Sequence, residues 1–156
     1  AYQARGLEEN GVIATYKHLI ANNMEFERKS AHGIIDENTL RDLYLRVFDK
    51  AFALYKPGCV MTSYNPVNGI YPCENSALLN DLLRGEWGFD GFVMTDWGSY
   101  DTADSIRSVC AGTNLLTPGS KKHFRMILKA VKRNEISKAA LQHSVKQIVK
   151  VLVRCI

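Results

Sequence analysis

The octapeptide Gly91-Phe92-Val93-Met94-Thr95-Asp96-Trp97-Gly98 sets the reading of the whole chain. Apolar residues run straight into Thr95 and a carboxylate, and a Trp and a Gly follow at once. A short apolar run of this kind, bounded by glycine, reads as a buried strand. Its end delivers one charged group to the rim of a sheet, beside an aromatic plate. A sugar-hydrolysing enzyme presents a carboxylate nucleophile in this way. A strand closed by an ordinary Asx-turn has the same local sequence, so the neighbouring segments carry the choice.

Upstream, Gly88-Phe89-Asp90-Gly91 reads as a return turn from a short helix carrying Leu78, Leu79, Leu82 and Leu83, capped by Asn75 or Ser76. Before it, 60–65 reads as a strand closed by Pro66 and the turn pair Asn68-Gly69. Asp36 opens a helix whose Leu40, Leu43, Tyr44, Val47, Phe48 and Phe52 recur at helical spacing. Residues 12–19 read as a strand ending in Lys17-His18. Residues 1–9 read as the tail of a helix that stops near Asn10-Gly11. Downstream, 102–111 reads as a helix started by Asp101 and Asp104, and 112–119 as a fourth short strand and loop. The segment 121–153 reads as two helices split near Ser137, the second with an apolar stripe at Ala140, Leu141, Val145, Ile148 and Leu152.

Strand and helix thus alternate, which implies parallel strands joined by right-handed crossovers. The expected fold class is α/β, a partial (β/α)8 TIM-type barrel of about four strand–helix units. A doubly wound open sheet shares the same alternation. Each expected strand ends in a polar cluster: Lys17-His18, Tyr64-Asn65, Asp96-Trp97 and Asn114. In a barrel those ends carry the chemistry.

The totals fit one globular unit. The 156 residues are 46% hydrophobic and 23% charged, with a net charge of +4, enough for a sizeable core. The basic residues fall on expected helices, so a solvated face is a better reading than a nucleic-acid groove. No run of 18 apolar residues suggests a membrane span. Cysteines stand at 59, 73, 110 and 155 with no C-x-x-C pair. That spacing suggests no zinc site, and a Cys59–Cys73 disulfide stays open. Nothing separates a cytoplasmic from a secreted location. Both ends read as cuts through something longer.

Around Asp96, Trp97 is placed to stack on a pyranose or simply to pack. Lys17 and His18 are donors suited to sugar hydroxyls, although neighbours on a regular strand point opposite ways. They share a target only where the strand finishes. Glu25 and Arg28 form either a surface i,i+3 ion pair or an inward fork, with Glu25 holding Arg28 against hydroxyls. Tyr64 closes its strand, where its hydroxyl either supports the carboxylate or packs.

The segments GVIATYKHLIANNMEFER (11–28), TLRDLYLRVF (39–48), VMTSYNPVNGIYPCENSALLNDLLRGEWGFDGFVMTDWG (60–98) and AGTNLLTPG (111–119) resemble glycoside hydrolase family 3, the β-glucosidase group, in order and spacing over essentially the whole chain. The resemblance implies that residues 1–156 are the later half of that family's N-terminal barrel domain. It implies retaining hydrolysis of terminal β-D-glucosyl residues without cofactor or metal. Asp96 is then the nucleophile, and Lys17, His18, Arg28, Met61, Tyr64 and Trp97 bind substrate. The implied substrates are β-linked glucosides or short oligosaccharides, with neither nucleic acid nor membrane as partner. The family's further glycone-binding Asp and its general acid/base Glu have no match here. They are expected on the first barrel half and on an α/β sandwich domain, supplied in cis or in trans. β-Xylosidase or α-arabinofuranosidase activity is the related alternative, and a non-catalytic half-barrel the unrelated one. KHLIANN (17–23) argues against the N-acetylglucosamine branch. Leu19, Met24 and Thr95 depart from the family's usual Phe, Gln and Ser.

Overall fold

The computed structural model describes residues 1–155. Three strands, β1 Thr15–Leu19, β2 Cys59–Thr62 and β3 Phe92–Met94, form one sheet in the order β1-β2-β3. Both pairings are parallel, and Cys59, Val60 and Met61 stand opposite Phe92, Val93 and Met94. Spatial order equals chain order, as in a barrel wall. Three strands in chain order are shared by a barrel wall and by one half of a doubly wound sheet. The register of β1 on β2 shifts between Tyr16 and Leu19, and the Lys17–His18 peptide is cis.

The fourth expected strand is reduced to a single parallel bridge, Met94 to Leu115. The amides of Asn114 and Leu115 donate to the Val93 carbonyl (2.8 and 3.0 Å), and Thr95 N donates to Leu115 O (3.0 Å). Val93 N, however, donates to the Asn114 side chain, Oδ1 at 2.7 Å. A side chain therefore takes the place of a ladder carbonyl. Pro118 follows shortly and has no N–H to continue the ladder.

One face of the sheet carries the main core. Phe52 is its centre: it stacks on Trp87 (5.3 Å between ring centroids) and meets Tyr16 and Phe89 edge-on at 5.3 and 5.7 Å. Leu19, Val60, Val93, Leu79 and Leu83 complete it. On the opposite face Cys59 and Phe92 meet Val151, flanked by Ile13, Met94 and Ile148. With both faces covered, β2 and β3 read as continuous apolar runs rather than alternating ones.

The helices follow their caps more closely than their expected stripes. Asp36 accepts from Thr39 N (3.0 Å) and opens the short α2 Glu37–Thr39, which continues as a π-helical segment Leu40–Leu45 and then α3 Arg46–Leu54. Leu45 and Phe52 are buried and Leu40, Tyr44 and Phe48 pack against the core, as the stripe predicts for all but Leu45, whereas Leu43 and Val47, expected inside, are exposed. Asn75 caps the π-helical segment Ala77–Glu86 by accepting from Leu78 N (3.0 Å). α1 spans Tyr2–Glu8 as expected, while the later helix, α4 Ser105–Ala111, starts beyond 102 with Asp104 as its cap. α5 is Lys121–Lys132 and α6 Lys138–Leu152, with Ser137 and Ala140 N forming the α6 cap (3.0 Å). The α6 stripe also differs. Ser144 and Val151 are buried while Val145 and Leu152 are about half exposed, because Asn114 Nδ2 draws the Ser144 hydroxyl inward (3.1 Å).

The N-terminal ends of the strands are held by Glu8. Its Oε1 accepts from Ala14 N (3.0 Å) and Gly58 N (2.6 Å), and its Oε2 from Tyr55 OH (2.8 Å). At the start of β3 the backbones approach so closely that a Cβ on Gly91 would run into the Gly58 carbonyl and the Phe89 ring. Cys59, Cys73 and Cys110 are free thiols, so the Cys59–Cys73 disulfide does not form. Burial pushes the Cys59 thiol up to about 12 and that of Cys73 to about 11. Among the described residues no helix is long and apolar enough to cross a membrane.

Candidate active site

Parallel strands send their C-terminal ends to one edge, and the connections leaving that edge gather there. Asp96 stands two residues beyond β3, on a turn bonded to itself and to its neighbours. The Asp96 carbonyl accepts from Ser99 N (3.1 Å) and Ser99 Oγ (2.9 Å), and Gly98 N donates to Thr117 O (2.8 Å). Gly98 sits at φ 77°, the left-handed region that favours glycine. The carboxylate is nearly enclosed, its side chain 14% exposed. Oδ1 accepts from Trp97 N at 2.7 Å and Oδ2 faces His18 Nε2 at 3.2 Å.

His18 reaches across from β1, the far strand of the sheet. Burial, with help from Lys17 and Arg28, lowers its proton affinity below the ordinary histidine value, against the opposing pull of Asp96 and Glu25. Nε2 is the ring nitrogen turned toward the carboxylate. Lys17 is exposed. It lines, together with His18, Tyr44, Leu43 and Val47, a cavity of about 800 Å³ along the edge of β1, beside which no strand stands among the described residues.

Arg28 forms the i,i+3 ion pair and also faces the Tyr64 ring. Nη1 pairs with Glu25 Oε2 (2.8 Å) on the exposed side, while the guanidinium lies over the Tyr64 ring, 4.6 Å from its centroid. Tyr64 is buried, and its hydroxyl donates to the Trp97 carbonyl (2.5 Å). Burial first, then the Asp96 charge, raises the Tyr64 pKa, so the phenol stays a donor. The Trp97 side chain is 67% exposed, an open plate beside the carboxylate. His18, Arg28, Tyr64, Asp96 and Trp97 thus converge at one edge of the sheet. Met61 lies lower, partly buried on β2 opposite Met94.

The departures from the family pattern have distinct surroundings. Leu19 is fully buried in the main core, so it is a packing position. Met24 is exposed on the loop after β1. Thr95 exchanges bonds with Thr117: Thr117 N donates to Thr95 Oγ1 (2.9 Å) and Thr117 Oγ1 to Thr95 O (2.5 Å). Asp101, expected at a helix start, instead lies in the 3-10 turn Ser99–Asp101 and pairs with Lys29 (2.8 Å). Sequence reasoning did not single out Lys29. Its only signal was its place next to Arg28.

Comparison with known proteins identifies the family. The model of the glycosyl hydrolase family 3 N terminal domain matches residues 1–151. "Probable beta-glucosidase J" of Aspergillus fumigatus is 39% identical over 150 residues, covering 94% of this chain and 17% of the relative. "Probable beta-glucosidase I" of Aspergillus oryzae is 38% identical over 154 residues, covering 97% and 18%. Beta-glucosidase 3B from Thermotoga neapolitana in complex with glucose superposes with a TM-score of 0.91 at 38% identity, over 97% of this chain and 22% of that one. Beta-glucosidase from Kluyveromyces marxianus in complex with glucose gives 0.89 at 32%, over 97% and 18%. The chain spans less than a quarter of each of these proteins. It belongs to glycosyl hydrolase family 3 and lies within that family's N-terminal domain.

Proposed function

We propose that this chain forms the later half, about four strand–helix units, of the (β/α)8 barrel of a β-glucosidase, and that Asp96 is the nucleophile. The reaction is retaining hydrolysis of terminal non-reducing β-D-glucosyl residues. The observation that carries this reading is the carboxylate at the strand rim, with Trp97 N–H on one oxygen and His18 Nε2 facing the other. The glucose-bound relatives support glucose as the sugar.

One Asp96 oxygen attacks the anomeric carbon. The bond to the leaving oxygen breaks, and that oxygen takes a proton from a general acid outside this segment. The resulting glycosyl ester is cleaved by water, which yields its proton to the same group acting as base, and net configuration is retained. His18, Lys17 and Arg28 donate to glycone hydroxyls. Tyr64 holds the carbonyl of the Trp97–Gly98 peptide, the unit next to the one whose N–H bonds Asp96 Oδ1. Trp97 and Met61 line the sugar pocket.

The acid/base Glu and the first barrel strands come from the rest of the protein. The cavity beside β1, flanked by Leu43, Val47 and Phe48, supports a seat for those strands. The test is incubation of the intact protein with a 2-deoxy-2-fluoro-β-D-glucoside carrying a dinitrophenolate leaving group, followed by peptide mass analysis. The expected product is a stable ester on Asp96; a label on any other residue overturns the assignment. A panel of aryl glycosides decides the sugar, and a xyloside turned over far faster than the glucoside overturns glucosidase activity.

A further inference from the structure

Lys29 joins three of the loops that meet at the rim. Its Nζ donates to the Gly98 carbonyl (3.1 Å) and to Asp101 Oδ2 (2.8 Å), and it lies 5.4 Å from the centroid of the Tyr64 ring. Its own carbonyl accepts from Tyr71 OH, in the connection after β2, at 3.2 Å. The head group is thus tied to the turn after β3 and the backbone to the connection after β2, while the residue itself belongs to the loop after β1.

We propose that Lys29 is a positioning residue that locks the turn bearing Asp96 and Trp97 to the loop bearing Arg28. The proposal rests on the nucleophile reading of Asp96. As an ion pair the contact is modest: the Lys29 side chain is 34% exposed and that of Asp101 60%, and such pairs contribute little to stability. Its importance is geometric. The three successive carbonyls of the turn are held from different places. Asp96 O is held locally by Ser99, Trp97 O by the Tyr64 hydroxyl, and Gly98 O both locally by Asp101 N (3.1 Å) and from the loop after β1 by Lys29.

Without Lys29 the Gly98 carbonyl loses that charged donor and Asp101 its cation. The turn keeps its bonds from Asp101 N to Gly98 O and from Gly98 N to Thr117 O but loses its tie to the Arg28 loop. Arg28 is the adjacent residue, and its guanidinium rests on the same Tyr64 ring. Losing the clamp therefore loosens the distance between a glycone-binding cation and the attacking oxygen. A misplacement of about 1 Å can cost up to ~100-fold in rate. A partial release of this turn is set at roughly 10-fold, expressed in the chemical step rather than in binding.

The test uses the full-length protein and the same 2-fluoro glucoside, whose good leaving group removes dependence on the acid. The first-order rate of Asp96 labelling at saturation and the half-saturating concentration are measured separately. Lys29→Met is expected to lower the saturated rate roughly 10-fold, with less than about 3-fold change in the half-saturating concentration. Lys29→Arg, which can reach both acceptors, is expected to restore the rate to within about 3-fold. Asp101→Asn keeps the Gly98 bond and is expected to lose only about 2- to 3-fold. A labelled wild type with Lys29→Met reacting at the same rate overturns the clamp while leaving the nucleophile intact. A loss that Lys29→Arg does not restore also overturns it. Should Lys29→Met not fold, an unchanged rate in Asp101→Asn overturns it instead. A wild type unlabelled at Asp96 is a separate result, removing the nucleophile reading and the clamp together.

Discussion

Removal of the Glu8 carboxylate probes the edge of the sheet opposite the proposed chemistry. Glu8 receives two backbone amides, Ala14 N and Gly58 N, and the Tyr55 hydroxyl, at 2.6 to 3.0 Å. Gly58 is buried, so its N–H cannot turn to bulk water when the acceptor leaves. Hydrogen bonds to a charged group contribute about 1.5–3 kcal/mol each, and a buried orphan donor costs about 1–3 kcal/mol. The three bonds share one carboxylate and are not additive. Glu8 is also only half-buried, which favours the lower end, so Glu8→Ala is set at about 3 kcal/mol. Glu8→Gln keeps one oxygen for both amides, and its NH2 can donate to the Tyr55 oxygen. It should cost about 1 kcal/mol. Urea unfolding read by circular dichroism measures both, as a shift in midpoint at constant slope. For a domain of this size about 3 kcal/mol corresponds to a melting shift of roughly 6–12 °C. Equal losses in the two variants, or a loss below about 1 kcal/mol in Glu8→Ala, would refute the account of a charged anchor for two strand starts.

Two further expectations concern His18 and Gly91. Because burial lowers the folded-state pKa of His18 below its unfolded value of 6.5, its contribution to stability is fully present above that value and is lost as pH falls through the folded pKa. His18→Asn should therefore flatten the acid-side decline of the melting temperature; parallel profiles for the two proteins would show that His18 is not responsible. Gly91→Ala places a Cβ against the Gly58 carbonyl and 2.7 Å from the Phe89 ring. It should destabilise by about 2 kcal/mol or more, and an unchanged thermal midpoint would show that the close approach relaxes freely.

Local sequence was sufficient where one residue acts through its own backbone neighbourhood. Asp36, Asn75, Asp104 and Ser137 each cap the helix that follows them, because a side-chain acceptor a few residues from an unpaired amide needs no tertiary partner. The apolar run 92–94 and the carboxylate beyond it were equally legible. Helix faces were less so. Leu40, Tyr44, Phe48 and Phe52 pack inward while Leu43 and Val47 face the cavity beside β1, and the Asn114–Ser144 bond turned α6 a polar side inward. The fourth strand fell short because an asparagine side chain occupied a ladder position.

For the candidate site, residue types and their order along the chain already named Asp96, His18, Arg28, Tyr64 and Trp97, since chemistry restricts which side chains can serve a sugar. Their convergence came from the parallel order β1-β2-β3, which brings residues 18, 64 and 96 to one edge. Lys29 had no such signature. A lysine in a loop is ordinary by composition, and only the packing of three connections brings its ammonium to a carbonyl 69 residues away. Chemical identity and short-range caps are properties of neighbours in sequence. Contacts over such separations depend on loop closure and core packing, which no local pattern encodes.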